Sequence, residues 1–303
     1  MRKLFGIVVL AALGSSLLAQ PAQAALKVLA CEPEWGALAQ ELAGDRASVS
    51  SATTALQDVH HMEARPSLIA RARNADLLVC TGSDLEVGWL PMLLRQSGNE
   101  KIQPGRPGYL ETSQLVPRLD IPKVLDRSLG DIHPAGNPHI HLDPRNIARV
   151  AEVLRDRLIL LDPANAEAYK TRSGAFLARW REAIPRWEAE AAPLRGLTMV
   201  VYHKNTAYLN AWLGLREVGS LEPKPGIPPT TAHLADLVAR MQAEPAKVIV
   251  YVAYNNPQAA EFLSERTKIP AVMLPFTVGG SDRAKDLFGL FDDTLARLLA
   301  VQK

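Results

Sequence analysis

What most limits the fold of this chain is the way short apolar runs and amphipathic stretches take turns along it. From Ala25 the runs 27–30, 47–50 and 76–80 are interleaved with stretches 34–43 and 67–74, whose apolar residues recur at helical spacing. Such alternation predicts βα units and a parallel sheet. A stretch dense in proline and glycine, 98–137, then interrupts it. Asp143-Pro144 and Asp162-Pro163 each place a capping residue before a first-turn proline, predicting two helices. The second runs past Tyr169, Phe176, Trp180 and Trp187 to about Ala192, with Pro185 predicting a kink or a junction of two helices. After residues 193–196 the alternation restarts: strands at 197–202, 217–221, 248–252 and 271–275, helices at 206–213, 231–243, 258–268 and about 282–300. The expected fold is α/β, with two lobes, each a parallel sheet flanked by helices, joined by one long backbone helix. The expected boundaries are 25–161, 162–194 and 195–303.

The first residues read as an export signal. Arg2 and Lys3 precede an apolar stretch, 4–18, and Ala22-Gln23-Ala24 has the small-residue spacing of a cleavage site. Residues 1–24 are therefore expected to be removed near Ala24, leaving a periplasmic chain. The apolar stretch falls short of the roughly 20 residues a bilayer span needs, and no later segment is apolar for that long. Residues 28–31, ending in Cys31, faintly resemble a lipoprotein cleavage box, but they lie well beyond the apolar stretch and read better as a first strand. In an oxidising compartment Cys31 and Cys80, each closing an apolar run, can pair; two buried free thiols are the competing reading. With a formal charge of +2 and scattered basic residues, the chain has no nucleic-acid footprint.

In open α/β sheets, ligands collect beyond the carboxyl ends of the strands. His203 directly follows the 197–202 run, His60 and His61 precede a helix that Pro66 helps to start, and His139 and His141 alternate in Asn137-Pro138-His139-Ile140-His141. Five of the seven histidines lie in these three segments; His133 is in the loop and His233 on a helix. Imidazoles converging with a carboxylate can complete a four-coordinate zinc site. Each histidine taken alone fits a surface or packing role as well, and no local zinc signature of the H-E-x-x-H or C-x-x-C kind is present.

At these segments the chain resembles the metal-binding periplasmic solute-binding proteins that serve ABC transporters for zinc and manganese, the zinc-uptake branch most closely. Asp58-Val59-His60 with Glu63 and Pro66 is similar to that family's D-P-H-x-x-E-x-x-P segment, and Asn137-Pro138-His139 with Leu142-Asp143-Pro144 to its D-P-H-x-W-L-D-P segment. His203 with Tyr208 is similar to the strand-end H-x-x-x-x-Y, and Gly279-Gly280-Ser281-Asp282 to a late loop that supplies an aspartate. Thr81-Gly82-Ser83-Asp84-Leu85-Glu86 resembles N-G-x-x-L-E. The resemblance implies metal ligands His60, His139, His203 and Asp282, two from each lobe. It also implies a hinge limited by the helix, a monomer, and as partners a permease with its ATPase. Val59 stands for a proline, Asn137 for an aspartate, and His141 for the tryptophan. The first two are expected to alter loop stiffness rather than donors; His141 is a spare ligand, a residue on the way to the site, or a packed substitute.

The long histidine-rich loop of many zinc members is missing; its counterpart, 126–136, offers only Asp126, Asp131 and His133, so at most weak secondary metal binding is expected there. Whether it docks a periplasmic zinc metallochaperone is left open. The manganese branch has a glutamate where this chain has His203, so three imidazoles and one carboxylate point to Zn²⁺ as the transported ligand. A manganese-binding member is the alternative, and a zinc hydrolase with Glu63 as base the rival from another class, although the resemblance gives Glu63 a supporting role beside a ligand histidine. A surface adhesin is a third reading, tied to lipidation of Cys31.

Overall fold

The computed structural model describes residues 25–126, 128 and 130–302. The expected signal segment, 1–24, lies outside the described residues. Four parallel strands form a first sheet: β1 (Leu26–Ala30), β2 (Ala47–Ser51), β3 (Leu77–Cys80) and β4 (Tyr109–Glu111), in the order β2-β1-β3-β4. A second parallel sheet, β5 (Thr198–Val201), β6 (Arg216–Ser220), β7 (Val248–Val252) and β8 (Ala271–Leu274), repeats that order as β6-β5-β7-β8. The two halves thus share a topology without a visible sequence repeat. In each, the strand order reverses beside its central strand, β1 or β5, which opens a crevice at the carboxyl end.

Strand residues divide between two cores by simple alternation, because successive side chains leave a strand on opposite faces. Val28, Ala30, Leu77, Val79, Met199, Val201, Val248 and Val250 enter one central core. Leu29, Leu78 and Cys80 face an outer core with helices α2 (Pro66–Arg73) and α3 (Leu90–Ser97). Val200 and Ile249 face the corresponding outer core with α7 (Thr231–Ala243) and α8 (Gln258–Thr267). Burial on both faces is why these runs are nearly continuous in apolar residues.

Between the sheets run α1 (Pro33–Ala43), α4 (Pro144–Leu161), the 25-residue α5 (Ala166–Glu190) and α9 (Leu287–Ala300); the short α6 (Ala207–Leu213) follows β5. On α5, Phe176, Trp180 and Trp187 are fully buried against Phe288 and Phe291 of α9, with ring centres 4.8 to 6.1 Å apart. Trp180 also donates its indole N–H to the Pro144 carbonyl at 2.8 Å. These aromatic contacts tie the long helix to both halves.

Cys31 and Cys80 form a disulfide. The register explains the pairing: Ala30 lies opposite Val79, so the next residues face each other on the same side of neighbouring strands. Both sulfurs lie in the core at 0% exposure, and Cys31 is spent on this bond.

Some local expectations change. Helix α5 runs unbroken through Pro185, and Asp162 precedes a 3₁₀ turn, accepting from the hydroxyl of Tyr169 at 2.6 Å, before α5 begins. The last helix starts at Leu287, where the Asp286 carboxylate accepts from the Gly289 N–H, and not at Asp282. Helix α3 and strand β4 were not anticipated: α3 opens on Leu90-Pro91 without a polar cap, and β4 is three residues within the proline- and glycine-rich stretch. Among the described residues, no helix is long and apolar enough to cross a membrane.

Candidate metal centre

His60, His139 and His203 come together from three separate segments, each offering a ring nitrogen, and these atoms lie within 4.8 Å of one another. His60 sits in a 3₁₀ turn beyond β2, His139 in the turn leading to α4, and His203 directly beyond β5, where the strand ends into the crevice. His139 and His203 are buried.

Each ring is held by a partner on Nδ1. The Asp58 carboxylate accepts from His60 Nδ1 at 2.8 Å and from the His60 backbone N–H at 3.0 Å. Asn137 repeats this device two residues before His139, its Oδ1 accepting from Nδ1 at 2.9 Å and from the backbone N–H at 3.0 Å. Glu222 accepts from His203 Nδ1 at 2.7 Å. All three partners offer an oxygen acceptor, so a neutral ring keeps its N–H there and presents the Nε2 lone pair inward. For His139 that Nε2 is buried and has no hydrogen-bond partner. An unsatisfied buried nitrogen costs about 1–3 kcal/mol, which a bound cation would recover.

The electrostatics point the same way. Burial, and after it the neighbouring rings of His203 and His60, hold the His139 imidazole well below the usual histidine range, so it is neutral and ready to donate a lone pair. Burial alone would raise the Asp58 carboxyl, but the hydrogen bonds it accepts from the His60 ring and backbone N–H oppose this, and Asp58 is held below the ordinary range.

Asp282 is not brought into this group: it is exposed on a turn that folds back on itself. In that turn the Ser281 hydroxyl donates to Asp293 and accepts from the Ala284 N–H, while Gly279 donates to the Ala284 carbonyl. Glu63 is exposed as well, and the supporting bond expected of it is made by Asp58. Asn137 does more than set loop stiffness, since it is the acceptor that orients His139.

His141 is buried behind the cluster, with Nδ1 3.1 Å from Glu34 of α1 and Nε2 donating to the Phe276 carbonyl at 2.9 Å. Phe276 follows β8 and packs edge-on against the rings of His139 and His141, at a φ of 67° that non-glycine residues rarely adopt. His141 therefore links the first half to the strained turn that walls the site. His61 is exposed, and His233 is occupied on α7 by the Ser220 carbonyl. His133, in the stretch before His139, approaches His60. Glu222 and His133 were missed as parts of the site, because nothing local in the sequence marks them.

The sequence profile of the family described as the periplasmic zinc-uptake complex component A, ZnuA, matches residues 28–301. The manganese-binding lipoprotein MntA of Halalkalibacterium halodurans is 26% identical over 222 residues, 71% of this chain and 68% of that protein. The iron-binding protein YfeA of Yersinia pestis is 28% identical over 207 residues, 66% of this chain and 62% of that protein. The high-affinity zinc uptake protein ZnuA of Bacillus subtilis is 21% identical over 251 residues, 82% of this chain and 77% of that protein. A crystal structure of ZnuA superposes with a TM-score of 0.73 at 20% identity, covering 90% of this chain and 99% of the other, which shows the fold. With the profile spanning nearly all the described residues, the chain belongs to the ZnuA family of periplasmic, metal-binding substrate-binding proteins of ABC transporters, which are not enzymes.

Proposed function

We propose that this protein captures Zn²⁺ in the cleft between its two sheets, in the periplasm after removal of residues 1–24, and delivers it to a membrane permease with its ATPase. The reading rests on one observation above others: three imidazoles converge from separate segments with every Nδ1 tied to an acceptor, so three Nε2 lone pairs face one point. Neutral imidazole suits zinc, whereas manganese favours carboxylate, carbonyl and water oxygen. Relatives named for manganese and iron make those ions the competitors. His60, His139 and His203 hold the ion. Asp282, the fourth ligand implied by resemblance, would need the 281–284 turn to reopen before reaching it.

Titrating the metal-free protein calorimetrically with Zn²⁺, Mn²⁺ and Fe²⁺ tests this. Tight one-to-one zinc binding that outcompetes the other two is expected, together with its loss in His203→Ala. Preference for manganese or iron, or unchanged zinc binding in the variant, would defeat the assignment.

A further inference from the structure

A fourth imidazole, His133, stands beside the cluster, against His60 but outside the 4.8 Å grouping of His60, His139 and His203. His133 Nε2 stands 3.4 Å from His60 Nε2, and its Nδ1 lies 3.0 Å from the Ser83 carbonyl oxygen. A carbonyl oxygen can only accept, as can the Asp58 carboxylate on His60 Nδ1. Each neutral ring therefore spends its one N–H on that contact, and two Nε2 lone pairs face each other. Alone they repel; a cation bound to both reverses the sign. Two nitrogens on one tetrahedral zinc at about 2.0–2.1 Å stand about 3.3–3.4 Å apart, which is the separation found. The His133 ring is also 6.3 Å from that of His139, centre to centre.

The segment carrying His133 is tied across the cleft. The Asp131 N–H donates to the Pro225 carbonyl at 2.8 Å, and the Lys224 ammonium donates to the Ser128 carbonyl at 2.6 Å. That same 222–226 turn holds Glu222, the acceptor for His203, which also accepts from the Gly226 N–H. The approach is close enough to require glycine at position 130, where φ is 91° and an added Cβ would meet the Pro225 carbonyl oxygen at 2.2 Å. Ser83, on the opposite side, follows β3 of the first sheet.

Building on the three-histidine zinc reading, we propose that His133 is the fourth zinc ligand and that its segment is a strap which the ion fastens over the cleft. Ion release then begins with His133, because the strap is otherwise held by a few loop hydrogen bonds.

Zinc X-ray absorption on the loaded mature chain, with the rate of zinc transfer to a chromophoric chelator, tests this in wild type, His133→Ala, Gly130→Ala, Asp282→Ala and His203→Ala. Four imidazoles are expected in wild type. His133→Ala should show three imidazoles and one oxygen and bind zinc at least about tenfold more weakly, the lower bound for losing a ligand's supporting hydrogen bond. Gly130→Ala, which removes no donor, should release zinc faster than wild type. A wild-type shell of three imidazoles and one oxygen, unaltered in His133→Ala, would overturn the proposal, and loss of that oxygen in Asp282→Ala would give the fourth place to Asp282. If His203→Ala keeps the wild-type shell, the three-histidine reading fails instead, whatever His133 does.

Discussion

Asp58→Asn isolates what a carboxylate behind a ligand histidine contributes. Asparagine keeps an oxygen at the position that accepts from the His60 Nδ1 and backbone N–H, so the turn and ring orientation survive and only the charge is lost. The carboxylate oxygen is 2.8 Å from Nδ1. With zinc about 2 Å beyond Nε2, charge and ion lie about 6 Å apart. Their attraction is about 5.5 kcal/mol at an effective dielectric of 20 and about 1.4 kcal/mol in water. Because the Asp58 side chain is 34% exposed, the low end governs, in line with the 10–100-fold typical for such partners. Competition between the protein and a chelator of known affinity, run on metal-free wild type and variant, should show zinc held roughly 10–100-fold more weakly, with unchanged circular dichroism. Equal affinities would refute the claim that His60 is a ligand tuned through its Nδ1.

Three other outcomes follow from the packing and the buried charges. Burial pushes the Glu86 carboxyl up to about 7, and that of Glu32 beside it well upward, so the fold favours their protonated forms. That stability is full below the ordinary carboxylate range and drains away as pH rises through about 7, so metal-free wild type should lose on the order of 1 kcal/mol between pH 6.5 and 8, and Glu86→Gln should flatten the fall in melting temperature; a wild-type melting temperature that does not fall would contradict it. Trp180→Ala removes the ring at the junction of α4, α5 and α9 and should cost about 3–5 kcal/mol in chemical denaturation, well above an exposed helix substitution such as Lys170→Ala. Replacing both Cys31 and Cys80 by serine opens a closure spanning 49 residues, worth about 4 kcal/mol by chain entropy, and should lower the melting temperature while leaving zinc stoichiometry at one, since both sulfurs lie on the outer face of the first sheet.

The fold was legible where periodicity was strong and local chemistry agreed with it. The helix at 231–243 and the strand at 248–252 match residue for residue, since Thr230 caps the one and uninterrupted apolar β-formers make the other. Leu90–Ser97 was missed because its cap position is Trp89, and Tyr109–Glu111 because a three-residue edge strand carries no pattern. At the site, His60 and His139 were legible because their supporting acceptors stand two residues before them, so the motif contains both ligand and partner. Glu222 is 19 residues from His203, and His133 reaches His60 across 73, so only tertiary structure joins them. Asp282 was read from a loop resemblance, but the Ser281 hydrogen bonds set that turn and leave its carboxylate outward.

Anomalous diffraction at the zinc edge from crystals of the zinc-loaded protein tests the central claim most directly. One strong peak is predicted about 2.0–2.1 Å from Nε2 of each of His60, His139 and His203. A peak elsewhere, or one bonded to fewer than these three rings, would contradict the account.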